Sequence, residues 1–266
     1  METLHIIVLA VIQGVTEFLP ISSSGHLILP NGLLGWPKQG LTFDVAVHVG
    51  TLVAVVTYFR QDIMAMTYAW CLSAFKQQHS DNSRIAWYVI LATIPAGLGG
   101  LLFNDFIETN LRTTVVIAIT TILFGVLLGW SDRSAIVKEK ELASLTVKIV
   151  FIIGVAQALA LIPGTSRSGI TITAALLCGF QRDAAARFSF LMSIPIITLS
   201  GGYKALQLVN VADVSGSDMA LGALVAAASA FLCIHYFLKF INNIGMMPFV
   251  VYRLLLGGFL LFWGLG

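Results

Sequence analysis

The stretch LAVIQGVTEFLPISSSGHLILP, residues 9–30, is apolar at both ends and polar in the middle. It lies in a longer apolar region, 3–35, broken at Pro20-Ile21-Ser22-Ser23-Ser24-Gly25-His26. A helix needs about 20 mostly apolar residues to cross a bilayer, and the arm after this break has only about ten. The region therefore reads as two half-helices that enter, turn at depth and leave by the same side. Residues 147–180 repeat the pattern around Pro163-Gly164-Thr165-Ser166-Arg167-Ser168-Gly169.

The two broken regions match in spacing. Twelve residues separate Gln13 from Gly25 and Gln157 from Gly169, in QGVTEFLPISSSG and QALALIPGTSRSG. Three long apolar stretches follow each: 43–60, 85–104 and 113–131, then 184–203, 218–239 and 247–265. Three crossings invert whatever follows, so the second copy runs in the opposite orientation. The expected fold is an all-α integral membrane protein, with six transmembrane helices and two re-entrant helical hairpins in an inverted-topology repeat. It forms one membrane domain: repeat 1 at about 1–131, a cytoplasmic loop at 132–146 and repeat 2 at about 147–266. Chance likeness between two Ser/Gly turns is the plainer alternative. Pro95 and Pro195 fall inside spans and read as kinks, because neighbouring helices satisfy the freed carbonyls.

Composition agrees. The chain has 266 residues, 58% hydrophobic and 11% charged, against about 25% charged in soluble domains. A net charge of +2 gives no sign of nucleic-acid binding. Cys71, Cys178 and Cys233 lie too far apart for a metal motif and read as small core residues. The segment METLHIIVLAVIQG lacks a basic leader and carries Glu2, so it reads as structure rather than a cleaved signal. Placing the 60–84 loop in the cytoplasm puts Arg60, Lys76, Arg84, Arg133, Lys138, Lys140, Lys148, Arg182, Arg187 and Lys239 inside. Lys38, Arg112 and Lys204 fall outside, and Arg167 and Arg253 within the membrane. This follows the positive-inside rule and places both termini outside.

The breaks suit an anion. Helix N-termini carry unpaired N–H groups and partial positive charge, and opposed hairpins aim both at the midplane. Gly25, Gly164 and Gly169 let a ligand approach the backbone. Ser22, Ser23, Ser24, Thr165, Ser166 and Ser168 can donate to phosphate oxygens or simply cap helices. Arg167 at such depth costs about 2.5–3.5 kcal/mol, and its planar fork fits a phosphate; an ion pair with Glu17 is the plainer reading. Gln13 and Glu17 share a helix face, as do Ser23 and His26. Carboxylate, imidazole, hydroxyl and guanidinium together point to phosphoryl transfer, with Glu17, Ser23, His26 and Arg167 as candidate catalytic residues. Gln13, Ser22, Ser24, Gly25, Ser166, Ser168 and Gly169 are candidates for binding. Asp44 and His48, four apart near a span end, read as a structural bond or a rim pair. His5, His79 and His235 show no cluster. Arg253 reads as snorkelling to the cytoplasmic interface or reaching a core carboxylate.

QGVTEFLPISSSGH at 13–26 and PGTSRSG at 163–169 resemble the two signature motifs of the undecaprenyl-diphosphate phosphatase family, also called the bacitracin-resistance protein family. PFVVYRLLLG at 248–257 is similar to that family's ending. The likeness extends along the chain and implies hydrolysis of undecaprenyl diphosphate to undecaprenyl phosphate and inorganic phosphate. That step recycles the lipid carrier for peptidoglycan synthesis and gives bacitracin resistance. It further implies a homodimer in the bacterial inner membrane, with the site open to the periplasm. Functional roles carry over to Glu17, Ser22, Ser23, His26, Ser166, Arg167 and Thr171. A divalent cation, Mg2+ or Ca2+, is implied and an organic cofactor is not. Gln13 stands where many members have glutamate, which leaves Glu17 as the one acidic metal ligand in the motif, so the diphosphate would hold most of the ion. Ser23, His26 or water all remain open as the nucleophile. Topology alone favours a transporter or flippase of a lipid phosphate or anion; the reactive residue set favours the enzyme. A structural or adaptor protein gives no reason for a buried Arg167 and Glu17.

Overall fold

A computed structural model describes residues 2–37, 40–134, 139–207 and 216–265. Lys38 and Lys138 of the charge count lie outside them. The described residues form eleven α-helices: α1 Thr3–Phe18, α2 Ser23–Leu34, α3 Leu41–Tyr58, α4 Arg60–Lys76, α5 Asp81–Asn110, α6 Thr114–Arg133, α7 Val147–Leu159, α8 Arg167–Leu177, α9 Arg182–Gln207, α10 Gly216–Ile244 and α11 Met247–Leu265. A single 3-10 turn, Leu142–Ser144, precedes α7.

Six of these, α3, α5, α6, α9, α10 and α11, are long and apolar enough to cross a membrane. They correspond one for one to the six apolar stretches of the sequence. Helix α5 overruns its apolar stretch because Ser80 and Ser83 form a capping box at its start. Pro95 and Pro195 lie inside continuous helices, so neither ends its span. Helix α4 occupies what the sequence reads only as a loop. Its composition is mixed, and Ser73 alone of its residues is buried.

The broken regions differ from the spans. Helices α1, α2, α7 and α8 have 16, 12, 13 and 11 residues. At 1.5 Å per residue they reach about 17–24 Å, short of the roughly 30 Å hydrocarbon core. Small residues let the first arms approach the spans closely. Helix α1 packs on α10 and α7 packs on α5. A Cβ on Gly14 would stand 2.6 Å from the Ala226 carbonyl, and one on Gly154 2.8 Å from that of Ala92. Helices α3 and α9 pack together, as do α6 and α11.

One end of the bundle gathers basic residues. Arg182 meets Asp132 at 2.6 Å, Arg187 meets Asp62 at 3.1 Å, and Arg84 donates to the Ala143 carbonyl at 2.8 Å. Arg112 lies at the far end of α5, paired with Glu108 at 2.6 Å. The snorkelling expected of Arg253 is overturned. Its side chain is 0% exposed and hydrogen-bonds inside the bundle. The three cysteines are free and half-buried.

Candidate active site

Each break contains a serine in the left-handed region, Ser22 at φ 74° and Ser166 at φ 68°. Such a conformation is costly for a residue with a Cβ and persists where surrounding contacts hold it. Both serines cap the helix that follows. Ser22 Oγ accepts from Gly25 N at 3.4 Å, and Ser166 Oγ accepts from Gly169 N at 3.2 Å. A second hydroxyl sits beside each cap: Ser24 at 3.2 Å from Ser22, and Ser168 at 3.3 Å from Ser166. The capped helices start at Ser23 and Arg167.

The two turns touch. Gly164 N donates to Ser24 Oγ at 3.0 Å, and Ser168 Oγ donates to the Leu19 carbonyl at 2.9 Å. Gly164 has φ +92°, and a Cβ there would run into the Ile117 carbonyl. Only glycine fits this close seat against α6. Between the turns lies a cavity of about 110 Å³, lined by Thr16, Glu17, Ser22, Ser23, Ser24, Ala160, Ile162, Gly164, Ser166 and Arg167.

Glu17 and Arg167 set its electrostatics. Arg167 Nη2 stands 3.2 Å from Glu17 Oε1, with the side chains 12% and 10% exposed. Arg167 Nη1 donates to the Ser189 carbonyl at 2.9 Å, and the guanidinium carbon lies 5.9 Å from the Phe18 ring centre. That fixes a cation over an aromatic face. Behind the carboxylate, Gln13 Nε2 donates to Glu17 Oε2 at 2.9 Å and meets His48 Nε2 at 3.2 Å. His48 Nδ1 bonds the Asp44 carbonyl at 2.7 Å. A carbonyl only accepts, so Nδ1 carries the proton and Nε2 accepts from Gln13.

Of the residues singled out in the sequence, Glu17, Ser22, Ser23, Ser24, Ser166 and Arg167 surround the cavity. Gln13 stands behind Glu17. Gly25 and Gly169 give their N–H groups to the caps. Ser168 ties the turns together, and Thr171 Oγ1 meets Ser189 Oγ at 2.7 Å and donates to the Arg167 carbonyl at 2.8 Å. His26 is not on the cavity lining. Its Nδ1 donates to the Ser22 carbonyl at 2.7 Å, and its Nε2 meets the Tyr252 hydroxyl at 2.6 Å, the rings stacked at 5.4 Å. The bond of His48 to Asp44 is the structural one that their four-residue spacing suggests; spacing gave no hint of its second partner, Gln13, which is 35 residues away. The sequence did not single out Tyr252 as a site residue, and it set Arg253 at the interface rather than beside the turns.

The donor set does not fit a divalent metal held by the protein. Glu17 is the one carboxylate lining the cavity, both its oxygens are engaged, and a guanidinium stands beside it. Among the described residues no three His, Cys, Asp or Glu side chains are grouped to hold an ion.

Comparison with known proteins identifies relatives along nearly the whole chain. The family model described as bacitracin resistance protein BacA matches residues 6–259. An undecaprenyl-diphosphatase of Saccharophagus degradans is 60% identical over 99% of both chains. That of Teredinibacter turnerae is 60% identical over 97% of both. An undecaprenyl-diphosphatase 2 of Stutzerimonas stutzeri is 56% identical over 98% of both.

Proposed function

The chain belongs to the bacitracin resistance protein family, and from that membership together with the cavity between its serine turns we propose that it is an undecaprenyl-diphosphatase. It hydrolyses undecaprenyl diphosphate to undecaprenyl phosphate and inorganic phosphate, returning the lipid carrier to peptidoglycan synthesis and giving bacitracin resistance. The observation that carries this is the Glu17–Arg167 pair on a cavity shared by two capped helix N-termini.

The terminal phosphate binds between the turns. Arg167 Nη2 passes from Glu17 Oε1 to a phosphate oxygen, making a charge-assisted hydrogen bond there. Glu17 Oε1 is then free to accept a proton. Ser23 Oγ gives its proton to Glu17 and attacks the terminal phosphorus. The new Oγ–P bond forms as the bridging P–O bond breaks, and undecaprenyl phosphate leaves with the electron pair. Water attacks next, the Oγ–P bond breaks, and Ser23 recovers its proton through Glu17. Charge builds on the transferred oxygens, where two helix N-termini, each worth about half a positive charge, and Arg167 stabilise it. His26 anchors the Ser22 carbonyl, and Ser166 and Thr171 hold the second turn. A divalent ion, Mg2+ or Ca2+, would be held by the diphosphate rather than by the protein, and would help neutralise its charge.

The membrane arrangement belongs to the same proposal. The two broken regions are re-entrant hairpins of an inverted repeat, each first arm packed on the second span of the other half, α1 on α10 and α7 on α5. The end rich in arginine faces the cytoplasm, so both termini and the site opening face the periplasm of the inner membrane. The active form is a homodimer; a monomeric mass from lipid discs in native mass spectrometry would count against it.

Matched broken helices at depth are also a transporter trait, so a lipid-phosphate flippase is the second reading. Phosphate release from a polyprenyl diphosphate in detergent micelles, where no gradient exists, separates the two. The phosphatase releases phosphate and its Ser23→Ala variant does not. A wild-type protein that binds the lipid without releasing phosphate would favour the flippase.

A further inference from the structure

A turn that cradles an anion must hide its carbonyls, because a peptide oxygen facing a phosphate repels it. In the second turn every carbonyl from Pro163 to Thr165 is drawn the other way. Thr120 Oγ1 donates to the Pro163 carbonyl at 2.6 Å, and Thr121 Oγ1 to that of Gly164 at 3.2 Å. One side chain does most of the rest. Arg253 Nη2 donates to the Gly164 carbonyl at 3.1 Å and the Thr165 carbonyl at 3.0 Å. Its Nη1 reaches the Pro20 carbonyl of the first turn at 3.3 Å, and its Nε bonds the Thr121 carbonyl of α6 at 3.0 Å. All four bonds go to backbone oxygens and none to a carboxylate.

We propose that Arg253 is a positioning residue of the reaction. From behind the cavity it clamps both turns together and holds their carbonyls off the substrate, so that hydroxyls and half-helix N-termini face the phosphate. Only a guanidinium offers donors in a planar fork wide enough for two turns and a neighbouring helix; a lysine ammonium is a point with three donors. Its charge, unmatched by any carboxylate bond, also lies behind an anion site at low dielectric. Arg253 acts in this way only if the two turns are the phosphate cradle proposed for this chain.

Two variants test it, Arg253→Lys and Gly125→Ala, in the full chain in detergent micelles. A Cβ at Gly125 of α6 would stand 3.1 Å from Arg253 Cβ and 3.4 Å from its Nε. The alanine therefore pushes on the arginine without touching either turn, and it suits a helix better than glycine. Three readouts are taken: phosphate release against polyprenyl diphosphate concentration, inhibition by inorganic phosphate, and the rise in melting temperature that inorganic phosphate gives. Folded Arg253→Lys should lose about 100-fold in kcat/KM, the scale of a site misplaced by an ångström. Most of the loss should lie in KM, with phosphate inhibition and protection weakened in parallel. Gly125→Ala should move the same quantities in the same direction by less. A merely structural arginine would lower the melting temperature and leave KM and phosphate binding as in wild type; that result in either folded variant overturns the proposal. If Arg253→Lys does not fold, Gly125→Ala decides. If the wild type releases no phosphate, the proposed activity fails, while the phosphate-protection comparison still judges Arg253.

Discussion

Arg167→Met is the perturbation whose cost follows most directly from the structure. Arg167 and Glu17 are 12% and 10% exposed and stand 3.2 Å apart. Removing one member of such a pair leaves the other charged, buried and short of a partner, which costs about 3–5 kcal/mol. For a chain of this length each kcal/mol is worth about 2–4 °C, so melting should fall by roughly 6–20 °C. Glu17→Gln should cost less, because the amide oxygen still accepts from Arg167. The double variant removes both charges together and should melt above Arg167→Met alone, since a neutral pair leaves no orphaned ion. Phosphate release should be lost in all three. Melting is read with a thiol-reactive fluorophore, for which the three half-buried free cysteines serve. An Arg167→Met protein that melts with the wild type, or a double variant below both singles, would refute the buried-pair reasoning. Turnover in Arg167→Met would refute its catalytic part.

Three further outcomes are expected. Gly164→Ala forces a side chain into φ +92° and against the Ile117 carbonyl, and should destabilise the protein by at least about 1–3 kcal/mol, seen as a lower melting temperature and a loss of monodisperse protein. Tyr252→Phe removes the hydroxyl 2.6 Å from His26 Nε2; one hydrogen bond is worth about 1 kcal/mol, so melting should fall by about 2–4 °C and kcat/KM by about fivefold, and an unaltered rate would deny the pair any part in turnover. Gln13→Glu sets a second carboxylate beside Glu17, a like-charge contact that a cation relieves. Its turnover should become more sensitive to chelator than that of the wild type and recover at lower Mg2+; equal sensitivity in the two proteins would argue against it.

The sequence revealed the spans because run length and apolarity decide what a bilayer accepts. Helix ends were less visible, since capping set them: Ser80 and Ser83 extended α5 beyond its apolar stretch. Helix α4 was hidden by a composition too mixed to read as a span. The two turns stood out because Ser, Gly and Pro crowd into otherwise apolar segments, and their geometry repeats in Ser22 and Ser166. Arg253 was misplaced for a physical reason. Distance from a helix end predicts snorkelling, but the face a residue occupies depends on neighbouring helices, and this one faces α6 and both turns. His26 illustrates the same limit. Its three-residue spacing from Ser23 placed it on a shared face, yet its ring is held by Tyr252, 226 residues away.

The shared anion cradle is tested most directly by an experimental structure with a non-hydrolysable polyprenyl methylene-diphosphonate bound. The terminal phosphonate should lie between residues 22–24 and 164–167, with Arg167 turned from Glu17 onto its oxygens. A phosphonate seated instead at the rim near Arg112, with the Glu17–Arg167 contact intact, would contradict it.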